Sequence, residues 1–141
     1  MRVPAGPEGL ATSRSFLDWK SHGVGSNAEY PHHTDVPVDV TTVDRLVRAA
    51  GLTRLDFVKI DVEGAELHVL HGAADTIDRF RPTLFIEIEA RHTARYDYSP
   101  AGVVDWLATR GYAMLAWQRG WQPVERVCTH ANNYLFRAIE R

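Results

Sequence analysis

From Val36 onward, short apolar runs alternate with stretches whose apolar residues recur every three or four positions. Such a pattern reads as strands and helices in turn. Val36–Val40 is the first strand candidate. Thr41-Thr42-Val43-Asp44 has capping-box spacing, in which a threonine hydroxyl and a carboxylate three residues later answer free amides at a helix start. Val43, Leu46, Val47 and Ala50 then share one helical face, and Gly51 stops the helix. Leu55–Val62 is apolar except at Asp56, Lys59 and Asp61, which predicts a strand covered on both sides. Gly64–Phe80 carries Leu67, Leu70, Ala74 and Ile77 at helical spacing. Pro82 closes that helix, because the residue before a proline leaves the helical region. Thr83–Glu89 predicts a second buried strand, adjacent and parallel to the first. Ser99-Pro100 is an N-cap with proline at the first helical position, and Val103, Val104 and Leu107 make the inner face behind it. After Gly111, Tyr112–Gln118 and Trp121–Val127 flank Arg119-Gly120 as a hairpin, and Asn133–Ala138 supplies a last strand.

The first forty residues are punctuated by glycine and proline and read as loops with at most short strands. The whole order is that of an α/β domain with a parallel core and an antiparallel edge. A chain of 141 residues with 45% apolar and 24% charged residues is the size and composition of one globular domain. A net charge of −2 gives no footprint for nucleic acid or a membrane surface. Cys128 stands alone, which excludes a disulfide framework and a cysteine-built metal site. No apolar run reaches membrane-spanning length, and residues 1–20 lack a signal-peptide core, so a soluble cytoplasmic domain is the expectation.

The candidate chemistry gathers where the first buried strand ends. Phe57-Val58-Lys59-Ile60-Asp61-Val62-Glu63-Gly64-Ala65-Glu66 runs from a strand through a burst of acids into a helix, and in open α/β sheets ligands bind beyond the carboxyl ends of strands. This stretch resembles the KIDVEG signature of the FkbM-type S-adenosylmethionine-dependent methyltransferases. The resemblance continues through Leu70-His71-Gly72-Ala73 and through Arg81–Glu89. It implies a Rossmann-like class I methyltransferase sheet, with Leu55–Val62 as its fourth strand and Thr83–Glu89 as its fifth. It also implies S-adenosylmethionine as cofactor and a hydroxyl of a small molecule or glycan as methyl acceptor. No Asp-x-Gly-Ala-Asn loop precedes the signature. The Gly-x-Gly of residues 22–26 has neither a strand before it nor a helix after it. The expectation is therefore the later half of such a domain, N-terminally truncated, with residues 1–35 as a loop-rich segment and 36–141 as the methyltransferase portion. On its own it should bind S-adenosylmethionine weakly and self-associate through an unpaired edge of the first strand.

Within that frame Asp61 is the candidate for catalysis and, with Val62, for holding the cofactor. Glu63 and Glu89 are candidates for the substrate, and His92, following the second strand, for the base that takes the hydroxyl proton. Asp61 and Glu89 at neighbouring strand ends could hold a divalent metal, or pair with Lys59 or Arg91. Glu63 and Glu66 could equally serve the helix N-terminus. His68 and His71, one turn before Asp75, make a poor metal site, and His32-His33 could belong to a substrate loop. Trp106, Trp117 and Trp121, with Tyr112 and Phe136, are expected to pack the C-terminal sheet. Two other functions remain open: a non-catalytic fragment of such an enzyme, and a metal-dependent hydrolase using Asp61, Glu63, Glu89 and His92.

Overall fold

The computed structural model describes residues 1–19, 21 and 29–139, so the Gly-x-Gly of residues 22–26 lies outside the described residues. Strand β5 (Thr83–Glu87) organises the larger sheet, because its alternation sends Leu84 and Ile86 to one side, fully buried, and Phe85 and Glu87 to the other. On one flank it pairs in parallel with β4 (Phe57–Ile60), with Val58 opposite Leu84 and Ile60 opposite Ile86. On its other flank β8 (Asn133–Ala138) runs antiparallel to it and also to β6 (Tyr112–Trp117). β7 (Trp121–Pro123) completes the order β4-β5-β8-β6-β7. The expected mixed α/β sheet, parallel at one end and antiparallel at the other, is present.

Two short helices, α2 (Glu66–His71) and α3 (Ala74–Phe80), connect β4 to β5. The connection from β5 to β6 runs through α4 (Ala90–Thr93), a 3-10 turn (Ala94–Tyr96) and α5 (Pro100–Ala108). Leu70, Ile77, Val103 and Leu107 from these helices form one buried cluster with Leu84, Ile86, Tyr134 and Phe136 of the sheet. Each such side chain contributes about 1.5–3 kcal/mol by leaving water. Among the described residues no helix is long and apolar enough to cross a membrane.

The structure corrects several boundaries for identifiable reasons. The strand predicted at Val36–Val40 lies instead at β3 (His32–Asp35), which pairs with β1 (Arg2–Gly6). The pairing runs on only to Val36, whose N–H donates to the Met1 carbonyl at 2.8 Å; Pro37 offers no N–H, and Val40 is 65% exposed. With β2 (Gly9–Leu10), these two strands make a small antiparallel sheet, order β2-β1-β3, so His32 and His33 sit on a strand. The strand predicted as covered on both sides is covered on one, since Phe57 on the other face is 53% exposed. Helix α1 (Val43–Ala49) buries none of its residues, and Leu46 is 57% exposed. Its cap is Thr42 rather than Thr41, with Arg45 N–H donating to the Thr42 hydroxyl at 3.2 Å. Trp106 packs on α5 against Arg110 and His71 rather than on the C-terminal sheet, where Trp117 and Trp121 do meet edge to face at 5.5 Å.

Asp44 also breaks the single helix predicted over Gly64–Phe80. A continuous helix would need Thr76 N–H to bond the Gly72 carbonyl. Instead the Asp44 N–H takes the Gly72 carbonyl at 3.0 Å, and the Asp44 carboxylate accepts from Thr76 N–H at 2.9 Å and from the Thr76 hydroxyl at 2.6 Å. The carboxylate thus caps α3 from a different helix, where Ala73 has no side chain to do so. Asp44→Ala should cost about 1–2 kcal/mol, whereas Thr41→Ala should change stability by less than about 0.5 kcal/mol. Thermal denaturation of the two variants checks this, and equal losses would contradict the assignment.

Candidate functional site

The parallel pairing of β4 and β5 carries both chains to the same sheet edge, and acids follow at once. Asp61 comes one residue beyond the Ile60–Ile86 pair and therefore meets Glu87 at the end of β5, with which it shares a hydrogen bond. Lys59, two residues earlier on the same side of the strand, donates to the Asp61 carboxylate at 2.7 Å. That bond, helped by the one to Glu87, holds the Asp61 pKa below the ordinary carboxylate range. Burial pushes Glu87 the other way, to about 7, and the neighbouring Asp61 adds to the shift through the hydrogen bond and its charge. Asp61 and Glu87 therefore hold one proton between them near neutrality.

Beyond Asp61 the chain reverses on two consecutive left-handed residues, Glu63 at φ 52° and Gly64 at φ 101°. Gly64 is required here twice over. Its φ suits only glycine, and a Cβ at this position would stand 2.3 Å from the His92 carbonyl oxygen of α4. The close approach sets Glu63 Oε2 3.1 Å from His92 Nδ1. This is an electrostatic contact without hydrogen-bond alignment, and among the described residues neither Glu63 Oε2 nor His92 Nε2 has a hydrogen-bond partner. His92 is 4% exposed, so it is a packed residue rather than a solvated loop histidine. Burial works against charge on both groups, raising the Glu63 pKa and lowering that of His92.

Several groups lock this turn. Gly64 N–H donates to Glu66 Oε1 at 2.9 Å, and Tyr98 O–H donates to the Gly64 carbonyl and lies 3.0 Å from Glu66 Oε2. Glu66 is thus a buried tie rather than a solvent-facing helix acid. Arg95 Nη1 donates to the Glu63 carbonyl at 3.1 Å while its guanidinium stacks 3.9 Å over Phe16, and Tyr96 O–H donates to the Leu17 carbonyl at 2.7 Å. The N-terminal segment is in this way fastened to the turn. Glu89 accepts from Arg91 and from Asn132 Nδ2, the latter at 3.0 Å, and the bond from Arg91 lowers its pKa. Val62 packs against the core cluster.

With this geometry in view the comparisons decide one point. The family model for the methyltransferase FkbM domain matches residues 3–114, which take in β1, the turn and α4. The chain belongs to the FkbM methyltransferase family. No curated protein and no solved structure matches it.

In this FkbM domain Asp61 interacts by charge with Glu63 and His92, and those two in turn with Glu89. No group of three or more His, Cys, Asp or Glu with metal-holding geometry occurs among the described residues. Asp61 and Glu89 are instead occupied by Lys59 and by Arg91, so they do not fit a divalent ion. His68 meets the rings of Trp19, Tyr96 and Tyr98 edge to face. Cys128 places its Sγ 3.5 Å from His130 Nε2 and from the Tyr134 hydroxyl. The residue that sequence reasoning passed over is Glu87. Alternation along β5 put it on the same side as Glu89, but only the register shows that it, and not Glu89, faces Asp61.

The Glu87 shift fixes a sign. An unfolded glutamate titrates near ~4.3, so between there and about 7 the folded chain holds the extra proton and stability falls as pH rises. Glu87→Gln keeps the protonated hydrogen-bonding pattern without the titration. Its melting temperature relative to the parent should be nearly unchanged below about pH 4, should rise between there and about pH 7, and should level off above that. Parallel melting curves across that range would show that Glu87 titrates normally.

Proposed function

We propose that this FkbM domain catalyses S-adenosylmethionine-dependent methylation of a hydroxyl on a small molecule or glycan, at the carboxyl ends of β4 and β5. The observation that carries the reading is the convergence there of Asp61, Glu63, Glu87 and Glu89 beside the buried His92. Supporting it, the order β4-β5-β8-β6 with β8 antiparallel is the order expected for the later strands of a Rossmann-like methyltransferase sheet. Asp61, which already accepts from Lys59, and the Val62 backbone would contact the cofactor at this edge. When bound, the cofactor supplies an electrophilic methyl group. The chain's own work is to bind and align the acceptor and to take its proton. Glu63 and Glu89 would orient the hydroxyl. His92, kept neutral by burial, would accept the proton at Nε2, which has no hydrogen-bond partner among the described residues.

A second property is proposed from the sheet edge. β4 is an end strand, and Phe57, Leu46 and Leu52 near it in sequence are exposed apolar residues. An unpaired apolar edge recruits other chains, so the domain self-associates there.

Labelled methyl transfer to hydroxyl acceptors tests the main reading. Asp61→Ala should lower transfer by about 10²-fold or more while leaving the melting temperature in place. A large stability loss with transfer retained would make Asp61 a residue that only fixes the turn. Light scattering on the same samples should report species larger than one chain, and a clean monomer would refute the association.

A further inference from the structure

A second feature at the same sheet edge has no role so far. A cavity of about 470 Å³ opens between the end of β5, the start of α5 and the loop of residues 125–132, a volume typical of small-molecule sites. Its walls are largely apolar, with Ile88, Val104, Val127 and Ala131 among them, and the last three are half-buried. Charge is at the border, since Arg91, Asp105, Glu125 and Arg126 are all exposed. Glu89 belongs to both places. It lines this cavity, and its charge acts on Glu87, Glu63 and His92. Arg91 and Asn132 each use one of its oxygens, and a carboxylate with about four lone-pair sites can accept a further O–H.

We infer that this cavity is the acceptor pocket and that it takes an alcohol with a predominantly apolar body, aryl or alkyl, whose hydroxyl donates to Glu89 on binding and turns to His92 when its proton leaves. The assignment rests on the methyltransferase reading for the fate of the hydroxyl and narrows its substrate class. A sugar would place several hydroxyls against the apolar walls, and each one left without a partner costs about 1–3 kcal/mol. An aryl or alkyl body meets those walls without that penalty and gains by leaving water. Asn132 fixes the geometry from the far side, because its backbone carbonyl accepts from Ile88 N–H at 2.7 Å while its side chain holds Glu89.

Titration of the full chain with 1-naphthol and, separately, with methyl glucoside tests the pocket by amide chemical shifts, independently of any turnover. Naphthol should bind, with shifts centred on Ala101, Val104 and Ala131, and the glucoside should not. Ala101→Trp and Ala131→Phe each fill the cavity from a different wall and should weaken naphthol binding at least about tenfold. Circular dichroism identifies whichever variant is folded. No naphthol binding, shifts centred on the exposed indoles of Trp117 and Trp121, glucoside binding as tight as naphthol, or naphthol binding untouched in a folded filled variant would each overturn the assignment. The two readings fail separately. Methyl transfer to the glucoside would refute the pocket and uphold the methyltransferase, whereas naphthol bound in the cavity while no hydroxyl acceptor is methylated would do the reverse.

Discussion

The backbone of Gly64 lies so close to the carbonyl of His92 that no side chain fits between them. Much of the site follows from this contact. It joins the turn after β4 to the helix after β5, two segments that otherwise only leave the same sheet edge. The approach requires the reversal at Glu63, whose left-handed φ of 52° costs about 1 kcal/mol or more in a residue with a Cβ. That cost is offset locally. Arg95 holds the Glu63 carbonyl, Glu66 holds the Gly64 N–H, and Tyr98 holds the Gly64 carbonyl. Two of these contacts, from Arg95 and Tyr98, come from the β5–β6 connection onto the β4–α2 turn, and the third comes from α2 itself, so the junction is fixed from both sides.

The electrostatics depend on the same arrangement. Carboxylates collected at one sheet edge repel one another, and here each finds a different answer. Asp61 takes a lysine, Glu89 takes an arginine and an asparagine, Glu87 keeps a proton, and Glu63 lies against His92. The cations that answer Asp61 and Glu89 are each two residues from their acid in sequence, so the strand pleat and the short helix suffice to form these pairs. At Glu63 burial outweighs the charges of Arg14 and Arg95, and at Glu87 it acts together with the Asp61 charge, so both pKa values are raised.

Much of this was legible in the chain. The alternation of Leu84, Ile86 and Ile88 marked β5, Ser99-Pro100 marked the start of α5, and β8 spans Asn133–Ala138 as predicted. What was not legible depended on partners distant in sequence. Helical spacing runs without a break through Gly72 and Ala73, yet Asp44, 32 residues before Thr76, takes over the bond that would have continued the helix. β-propensity favoured Val36–Val40 over His32–Asp35, but the strand forms where β1 provides a ladder, and its exposed residues need no apolar character. His92 read only as a candidate base following the second strand, because nothing local says that Gly64 will close over it. Glu87 was not singled out, because a register is a property of two strands and cannot be seen in one.

The account stands or falls on the claim that the Gly64 approach is what buries His92 and holds it against Glu63. The His92 ring titration, followed by NMR in the parent chain and in Gly64→Ala, measures this directly. In the parent the ring should titrate below the ordinary histidine value of about 6.5. In Gly64→Ala the added Cβ must push the two segments apart, and the His92 titration should return towards 6.5 while the variant remains folded at its sheet. A parent ring that already titrates at the ordinary value, or a ring whose titration is the same in both chains, would contradict the account.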